Sequence, residues 1–168
     1  PDENAKINAI YKYVSTEFHY IGIAFGIGRY QPHSASEVMG NQYGDCKDKH
    51  TLLASLLAAA GFEAYPALIS TTNDVAENAP SPGQFNHVIT AVARGKDMLW
   101  LDSTPEVSPF GYLFTPLRGK KALVIYGNKP AELVMTPPNP ASPTSSSFLI
   151  KAKLDENGVL EGQVERST

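Results

Sequence analysis

The chain is short of cysteine, of positive charge and of long apolar runs, and each shortage excludes a class of function. Cys46 is the one cysteine among 168 residues, which excludes an internal disulfide and says little about redox compartment. The net charge of −3 gives no basic field, so no nucleic-acid partner is expected. No stretch is long and apolar enough to span a bilayer. The chain opens at Pro1 without a methionine, and we expect it to be a fragment of a longer protein.

The patterns that are present predict one α+β core followed by a piece of a second domain. Apolar residues at helical spacing predict helices over 2–18, with Asp2 as a suitable cap, and over 45–60. A short helix over 34–39 is predicted from its cap, Ser34 or Ser36, and from its end at Gly40-Asn41. Strands are predicted over 64–70, 87–93, 98–102 and 122–126, with 87–102 forming a hairpin. We expect the helix over 45–60 to lie centrally on an antiparallel sheet, because its apolar stripe is broad.

Proline and serine mark a predicted boundary after the core. Residues 133–147 contain four prolines with several serines and threonines, which is typical of a linker. Beyond it, two alternating segments and the turn 155–158 predict a β-hairpin. We therefore divide the chain into a core over 1–132, a linker over 133–147 and the start of a truncated β-rich domain over 148–168.

Cys46 lies where the central helix is predicted to begin. Gly44 interrupts the preceding segment and Asp45 is a suitable N-cap. The positive end of a helix dipole and its unpaired N–H groups favour thiolate over thiol, and the thiolate is the nucleophile. Cys46 is therefore a candidate nucleophile, with the alternative that it is a small apolar packing residue.

His87 and Asp102 are predicted to meet at one end of the hairpin. His87 opens the first strand, Asp102 closes the second, and the turn lies between Arg94 and Asp97. Their antiparallel pairing brings the two outer ends side by side, near enough for a hydrogen bond. A cysteine nucleophile needs such a base and an orienting carboxylate. The alternative is a histidine at a strand end and an aspartate that forms a turn.

The other polar residues near Cys46 have simpler interpretations. His50 follows Cys46 by four positions on one helix face, so it could act as the base or bind a metal with the thiol. Neither role is favoured, and we expect it to lie beside the site or to pack. His19 and His33 are assigned surface or turn positions. The first-turn charges are interpreted as caps and solvated side chains: Asp45, Lys47, Asp48 and Lys49.

Three segments together resemble bacterial transglutaminase-like proteins over about 2–126. Tyr43-Gly44-Asp45-Cys46-Lys47-Asp48-Lys49 with the helix that follows resembles the cysteine motif of this family, Phe85-Asn86-His87-Val88 its histidine strand, and Trp100-Leu101-Asp102-Ser103-Thr104 its aspartate strand. The resemblance implies a papain-like core with Cys46 as nucleophile, His87 as base and acid, and Asp102 as orienting carboxylate. It also implies flanking β-rich domains and a place in the bacterial periplasm or cell envelope.

The function expected from these residues is acyl transfer or hydrolysis on amide or peptide substrates, without a metal or organic cofactor. The developing negative charge on the carbonyl oxygen needs two hydrogen-bond donors. The Cys46 N–H can be one, and a side-chain amide of Gln31 or Gln42 the other, between which the sequence does not choose. The acceptor, water or an amine, also stays open. The alternative function is a catalytically silent scaffold or peptide-binding module in a larger envelope protein.

Overall fold

The computed structural model describes residues 2–22, 26–138 and 147–167. The chain divides into two compact units, Pro1–Pro138 and Asn139–Thr168. The first unit contains all of the candidate site residues.

Three α-helices form one layer of the first unit: α1 (Glu3–Glu17), α2 (Ala35–Asn41) and α3 (Cys46–Ala59). Their N-caps are Asp2, Ser34 and Asp45, each of which accepts a hydrogen bond from a backbone N–H of the first turn. The three predicted helices are therefore confirmed. None of the described helices combines the length and apolarity needed to cross a membrane.

The strands of the first unit form two sheets. The short strands β1 (His19–Tyr20) and β2 (Tyr43–Gly44) pair in parallel. An antiparallel sheet contains β3 (Ala64–Ile69), β4 (His87–Arg94), β5 (Asp97–Leu101), β6 (Lys121–Val124) and β7 (Glu132–Met135). Its strand order is β5-β4-β3-β6-β7. Short 3₁₀ helices span Gly26–Arg29, Pro82–Gln84 and Thr115–Leu117.

Apolar clusters cover both faces of the antiparallel sheet, except at its exposed edge strand β7. On one face the three helices pack with sheet residues Val92 and Leu101 in one apolar cluster. On the other face Ala91 and Trp100 join a second cluster with Leu113, which comes from the segment after β5. Adjacent strand residues point to opposite faces, so neighbouring positions enter different clusters. α3 packs on β3 and β4 and against α1 and α2, which confirms the central helix on an antiparallel sheet.

The predicted linker begins too early. Residues 133–135 belong to β7 and pair with β6, with Leu133 opposite Leu123 and Met135 opposite Lys121. The error has a physical source: the prolines that suggested a linker begin only at Pro137, and β7 before them has no proline to interrupt pairing. Residues 139–146 of the predicted linker lie outside the described residues.

The second unit contains the predicted hairpin. Its strands are β8 (Ser147–Leu154) and β9 (Leu160–Ser167), paired antiparallel. The Asp155 carboxylate accepts hydrogen bonds from the N–H groups of Asn157 and Val159, and Gly158 has φ +81°. A positive φ at this position favours glycine, so the turn chemistry matches the prediction.

Candidate active site

The first turn of α3 holds Cys46 in a fixed position. Asp45 Oδ1 accepts hydrogen bonds from the N–H groups of Lys47 (3.1 Å) and Asp48 (3.3 Å). In return, Asp48 Oδ2 accepts one from the Asp45 N–H at 3.2 Å, which completes a capping box. Cys46 is the first residue inside this box and is half-buried. The predicted helix start and its Asp45 cap are confirmed.

His87 and Asp102 lie together, as the hairpin register predicted. β4 and β5 pair with Thr90 opposite Leu101, so the start of β4 lies beside the residue that follows β5. His87 Nε2 is 2.9 Å from Asp102 Oδ2. The two side chains are only 12% and 3% exposed, so this pair is largely withdrawn from solvent.

The environment of His87 favours its protonated form. Burial alone lowers the pKa of the imidazole, but hydrogen bonds to Asp102 and to the Cys46 thiol and the negative charge of both outweigh it and raise the pKa to about 9. Because Nε2 is bound to Asp102, Nδ1 is the ring nitrogen left for the thiol. The structure thus brings Cys46, His87 and Asp102 together in that order.

Two residues that the sequence did not indicate support Asp102. The Thr104 N–H and hydroxyl both donate to Asp102 Oδ1, at 3.0 and 2.7 Å. The Tyr11 hydroxyl donates to the backbone carbonyls of Asp102 (3.0 Å) and Ser108 (3.1 Å). Burial raises the pKa of Asp102, but the bonds from His87 and Thr104 and the charge of His87 outweigh it, so the pKa is lowered. The spacing Asp-Ser-Thr could have suggested Thr104 through its local turn geometry. Tyr11 gives no such signal.

His50 is a packed, neutral residue of the core. Its Nδ1 is 2.8 Å from the Thr90 hydroxyl on β4, and burial lowers its pKa to about 4. It therefore carries no charge at neutral pH and is engaged with the sheet, which confirms the packing expectation rather than the role of a base. Within 2–22, 26–138 and 147–167, no group of three or more His, Cys, Asp or Glu side chains is arranged to hold a metal ion.

Two first-turn charges of α3 predicted to be solvated are buried. Asp48 is enclosed because it caps the helix and accepts hydrogen bonds from the His33 N–H (2.8 Å) and ring (3.1 Å). Lys49 is 0% exposed, and its Nζ donates to the carbonyls of Ser15 (3.2 Å) and Phe18 (2.5 Å) at the end of α1. Burial lowers the pKa of Lys49 to about 8, although Glu106 and Asp102 oppose this. The prediction failed because the sequence does not show that α1 ends against α3.

His19, His33 and the two glutamines lie on the surface, whereas the Lys47 side chain, expected to be a cap or solvated, is only 11% exposed. The His19 ring is exposed, with Nδ1 3.1 Å from Glu106 Oε1, and the His33 ring is exposed beside Asp48. Gln31 and Gln42 are both exposed. Gln42 ends α2 in a left-handed conformation with φ 60°, and its carbonyl accepts a hydrogen bond from the His19 N–H at 3.0 Å. Lys47 pairs with the Asp45 carboxylate.

A scan against family models matched no family to this chain, and searches of curated proteins and of solved structures found no match either. A thiol at a helix start lies beside an imidazole with a raised pKa, and that imidazole is hydrogen-bonded to a buried carboxylate. Such an arrangement can supply a nucleophile, transfer a proton and stabilise the resulting charge.

Proposed function

We propose that this protein is a cysteine enzyme that cleaves or transfers the acyl group of amide or peptide substrates. Cys46 is the nucleophile, His87 the acid and base, and Asp102 the residue that orients and charges the imidazole. We propose further that the core is papain-like, in the manner of transglutaminase-like proteins. The substrate is a peptide or a protein, and the chemistry needs no cofactor.

One observation carries the proposal: His87 Nε2 lies 2.9 Å from Asp102 Oδ2, and the Cys46 thiol at the start of α3 lies near enough to the same ring to help raise its pKa. A histidine that only packed in the core would resemble His50, which is bonded to the Thr90 hydroxyl and kept neutral by burial. His87 instead keeps its proton to about pH 9. A protonated imidazole beside a thiolate is ready to donate to a leaving amine.

The first half of the reaction forms a thioester. The Cys46 thiolate attacks the carbonyl carbon, and the electrons of the C=O bond move onto oxygen. When they return, the C–N bond breaks and His87 donates its proton to the leaving nitrogen. Asp102 stays ionised throughout, because the hydrogen bonds from His87 and Thr104 outweigh the effect of its burial.

The second half releases the acyl group. Neutral His87 accepts a proton from water or from an amine as that molecule attacks the thioester carbonyl. Sulfur then leaves as the thiolate, and the imidazolium is restored. Water as acceptor gives hydrolysis and an amine gives transamidation. We favour hydrolysis of peptide-like substrates.

The proposal is tested by labelling the thiol of the full chain with iodoacetamide across pH. At about pH 6 a free thiol is almost wholly protonated and reacts slowly. We expect Cys46 to react at that pH, and His87→Ala to slow it by at least roughly ten-fold because the cation beside sulfur is lost. A fluorogenic peptide-amide library, followed by mass spectrometry for the acyl-enzyme, then identifies the substrate.

His19→Ala is the matched control, since it removes an exposed imidazole whose polar partner is Glu106. It should label like the wild type. The labelling rate could instead rise only at the pH where ordinary thiols ionise and be unchanged by His87→Ala. That result would contradict the proposed enzyme and favour the catalytically silent scaffold.

A further inference from the structure

Tyr20 lies on the same side of the β1–β2 pair as the first turn of α3. Tyr20 pairs directly with Gly44, and residues paired across parallel strands project to the same face. The direction of that face is given by Gly44: a Cβ there would lie 2.5 Å from the Cβ of Asp48. Tyr20 therefore faces the turn that carries Cys46, although the two are far apart in sequence.

The segment that carries Tyr20 is held at both ends. The N–H of His19 donates to the Gln42 carbonyl at 3.0 Å, and that of Ile21 donates to the Gly44 carbonyl at 3.1 Å. The buried Lys49 ammonium binds the carbonyls of Ser15 and Phe18 just before β1. The phenol ring lies against Gly22, where an added Cβ would meet the Tyr20 hydroxyl at 3.6 Å.

Tyr20 is also open to a substrate. Its side chain is 47% exposed, in contrast to the buried His50 and Asp102. Burial of the remaining part, with the negative charge of Cys46, Asp45 and Asp102, raises the pKa of its hydroxyl. The phenol therefore stays protonated at neutral pH and can donate a hydrogen bond.

We infer that the Tyr20 hydroxyl is a hydrogen-bond donor to the substrate carbonyl oxygen during attack by Cys46, alongside the Cys46 N–H. This inference rests on the proposed function. As the S–C bond forms, the C=O electron pair moves onto oxygen, which accepts these two hydrogen bonds. As the C–N bond breaks, the pair returns and the bonds weaken. Cys46 is the first residue of α3, so its N–H precedes the helical hydrogen-bond ladder.

Two reactions of the same sulfur separate this role from a general effect on the thiol. p-Nitrophenyl acetate acylates cysteine through an oxyanion, whereas iodoacetamide alkylates it by displacement at carbon without one. Tyr20→Phe should slow acylation on the order of 100-fold, the loss typical for one such donor, and leave the alkylation rate within about two-fold. Rates come from stopped-flow release of p-nitrophenol and from mass spectrometry of the alkylated chain.

Tyr43→Phe is the matched control because Tyr43 is similarly exposed (42%) and lies on β2, one position from Gly44 and thus on the opposite face. It should leave both rates unchanged. Equal acylation of the wild type and Tyr20→Phe would overturn the inference alone, as would selective slowing by Gln31→Ala or Gln42→Ala with no effect of Tyr20→Phe. A wild type that neither acylates nor responds to His87→Ala would overturn the proposed function and this inference with it.

Discussion

Asp102 controls the charge of His87 through one short hydrogen bond. Burial by itself favours a neutral imidazole, and the Asp102 and Cys46 contacts reverse that preference. Asp102 is in turn held by Thr104, whose N–H and hydroxyl occupy the carboxylate oxygen that His87 does not use. The protonation of His87 thus depends mainly on one buried carboxylate, with a further contribution from Cys46.

Asp102→Asn should lower the pKa of His87 from about 9 to near or below the ordinary histidine value of about 6.5. The amide keeps a hydrogen bond but removes the negative charge, while burial continues to favour the neutral ring. Histidine NMR titration of the full chain measures the change directly. Under the proposed mechanism, the pKa of the alkaline limb of the pH–rate profile for peptide cleavage should fall by the same amount.

Thr104→Val is the control for Asp102→Asn, since it removes one donor to Asp102 but keeps the charge. It should move the pKa of His87 much less. If Asn at position 102 left the His87 titration unchanged, charge pairing would not be the cause of the raised pKa.

At the scale of elements, the site depends on how closely β2 approaches α3. Gly44 lies where a side chain would collide with Asp48, and Asp48 cannot turn away because it caps α3 and binds His33. The absence of a side chain at position 44 therefore allows the strand to lie against the turn that holds Cys46.

Gly44→Ala should destabilise the protein by about 1–3 kcal/mol, the usual cost of inserting a methyl group into a packed site. The added Cβ would be 2.5 Å from the Asp48 Cβ, so the capping box must shift. Urea unfolding measures the loss, and iodoacetamide labelling reports whether Cys46 moves with it.

Gly40→Ala is the matched control for Gly44→Ala. Gly40 lies in α2, and an added Cβ there meets nothing within 4 Å. Alanine at this helical position should be neutral or stabilise by up to about 1 kcal/mol. Equal effects of the two substitutions would show that the contact with Asp48 does not matter.

The sequence predicted the elements better than the contacts between them. Apolar spacing and the caps Asp2, Ser34 and Asp45 located all three helices, and the hairpin turn placed His87 beside Asp102. These signals are local or act across one turn. Tyr11 binds the Asp102 carbonyl from 91 residues away, and Tyr20 pairs with Gly44 in a two-residue strand, so neither contact leaves a local pattern.

At the scale of the whole molecule, folding gives two histidines opposite protonation states: His50 on α3 and His87 on β4. His50, buried against Thr90, is neutral, while His87 is protonated to about pH 9. The stability of the first unit must therefore depend on pH in opposite directions on either side of the ordinary histidine pKa.

The free energy of unfolding should be highest near pH 6.5 as far as these two groups determine it. Below about pH 6.5 His50 takes up a proton in the unfolded chain, whereas in the native state it stays neutral down to about pH 4. The free energy of unfolding therefore falls by up to about 3 kcal/mol as the pH drops. Above about 6.5 the native state keeps the His87 proton that the unfolded chain releases, so stability falls as pH rises toward 9.

Urea unfolding at a series of pH values, compared with His50→Gln, isolates the acid side. Glutamine preserves a hydrogen-bond partner for Thr90 but does not titrate, so the decline between about pH 6.5 and 4 should flatten. Asp102→Asn should flatten the alkaline side instead. A slope unchanged by His50→Gln would show that position 50 already equilibrates with solvent.

The burial of Lys49 has a further effect under the proposed mechanism. A thioester on Cys46 is exposed to attack by any free amine within reach, and the first turn of α3 carries two lysines, Lys47 and Lys49. The buried Lys49 ammonium donates hydrogen bonds to the carbonyls of Ser15 and Phe18, and Lys47 is paired with the Asp45 carboxylate. In the proposed reaction, these contacts keep both amines from attacking the thioester, so the acyl group is left for an acceptor that arrives from outside.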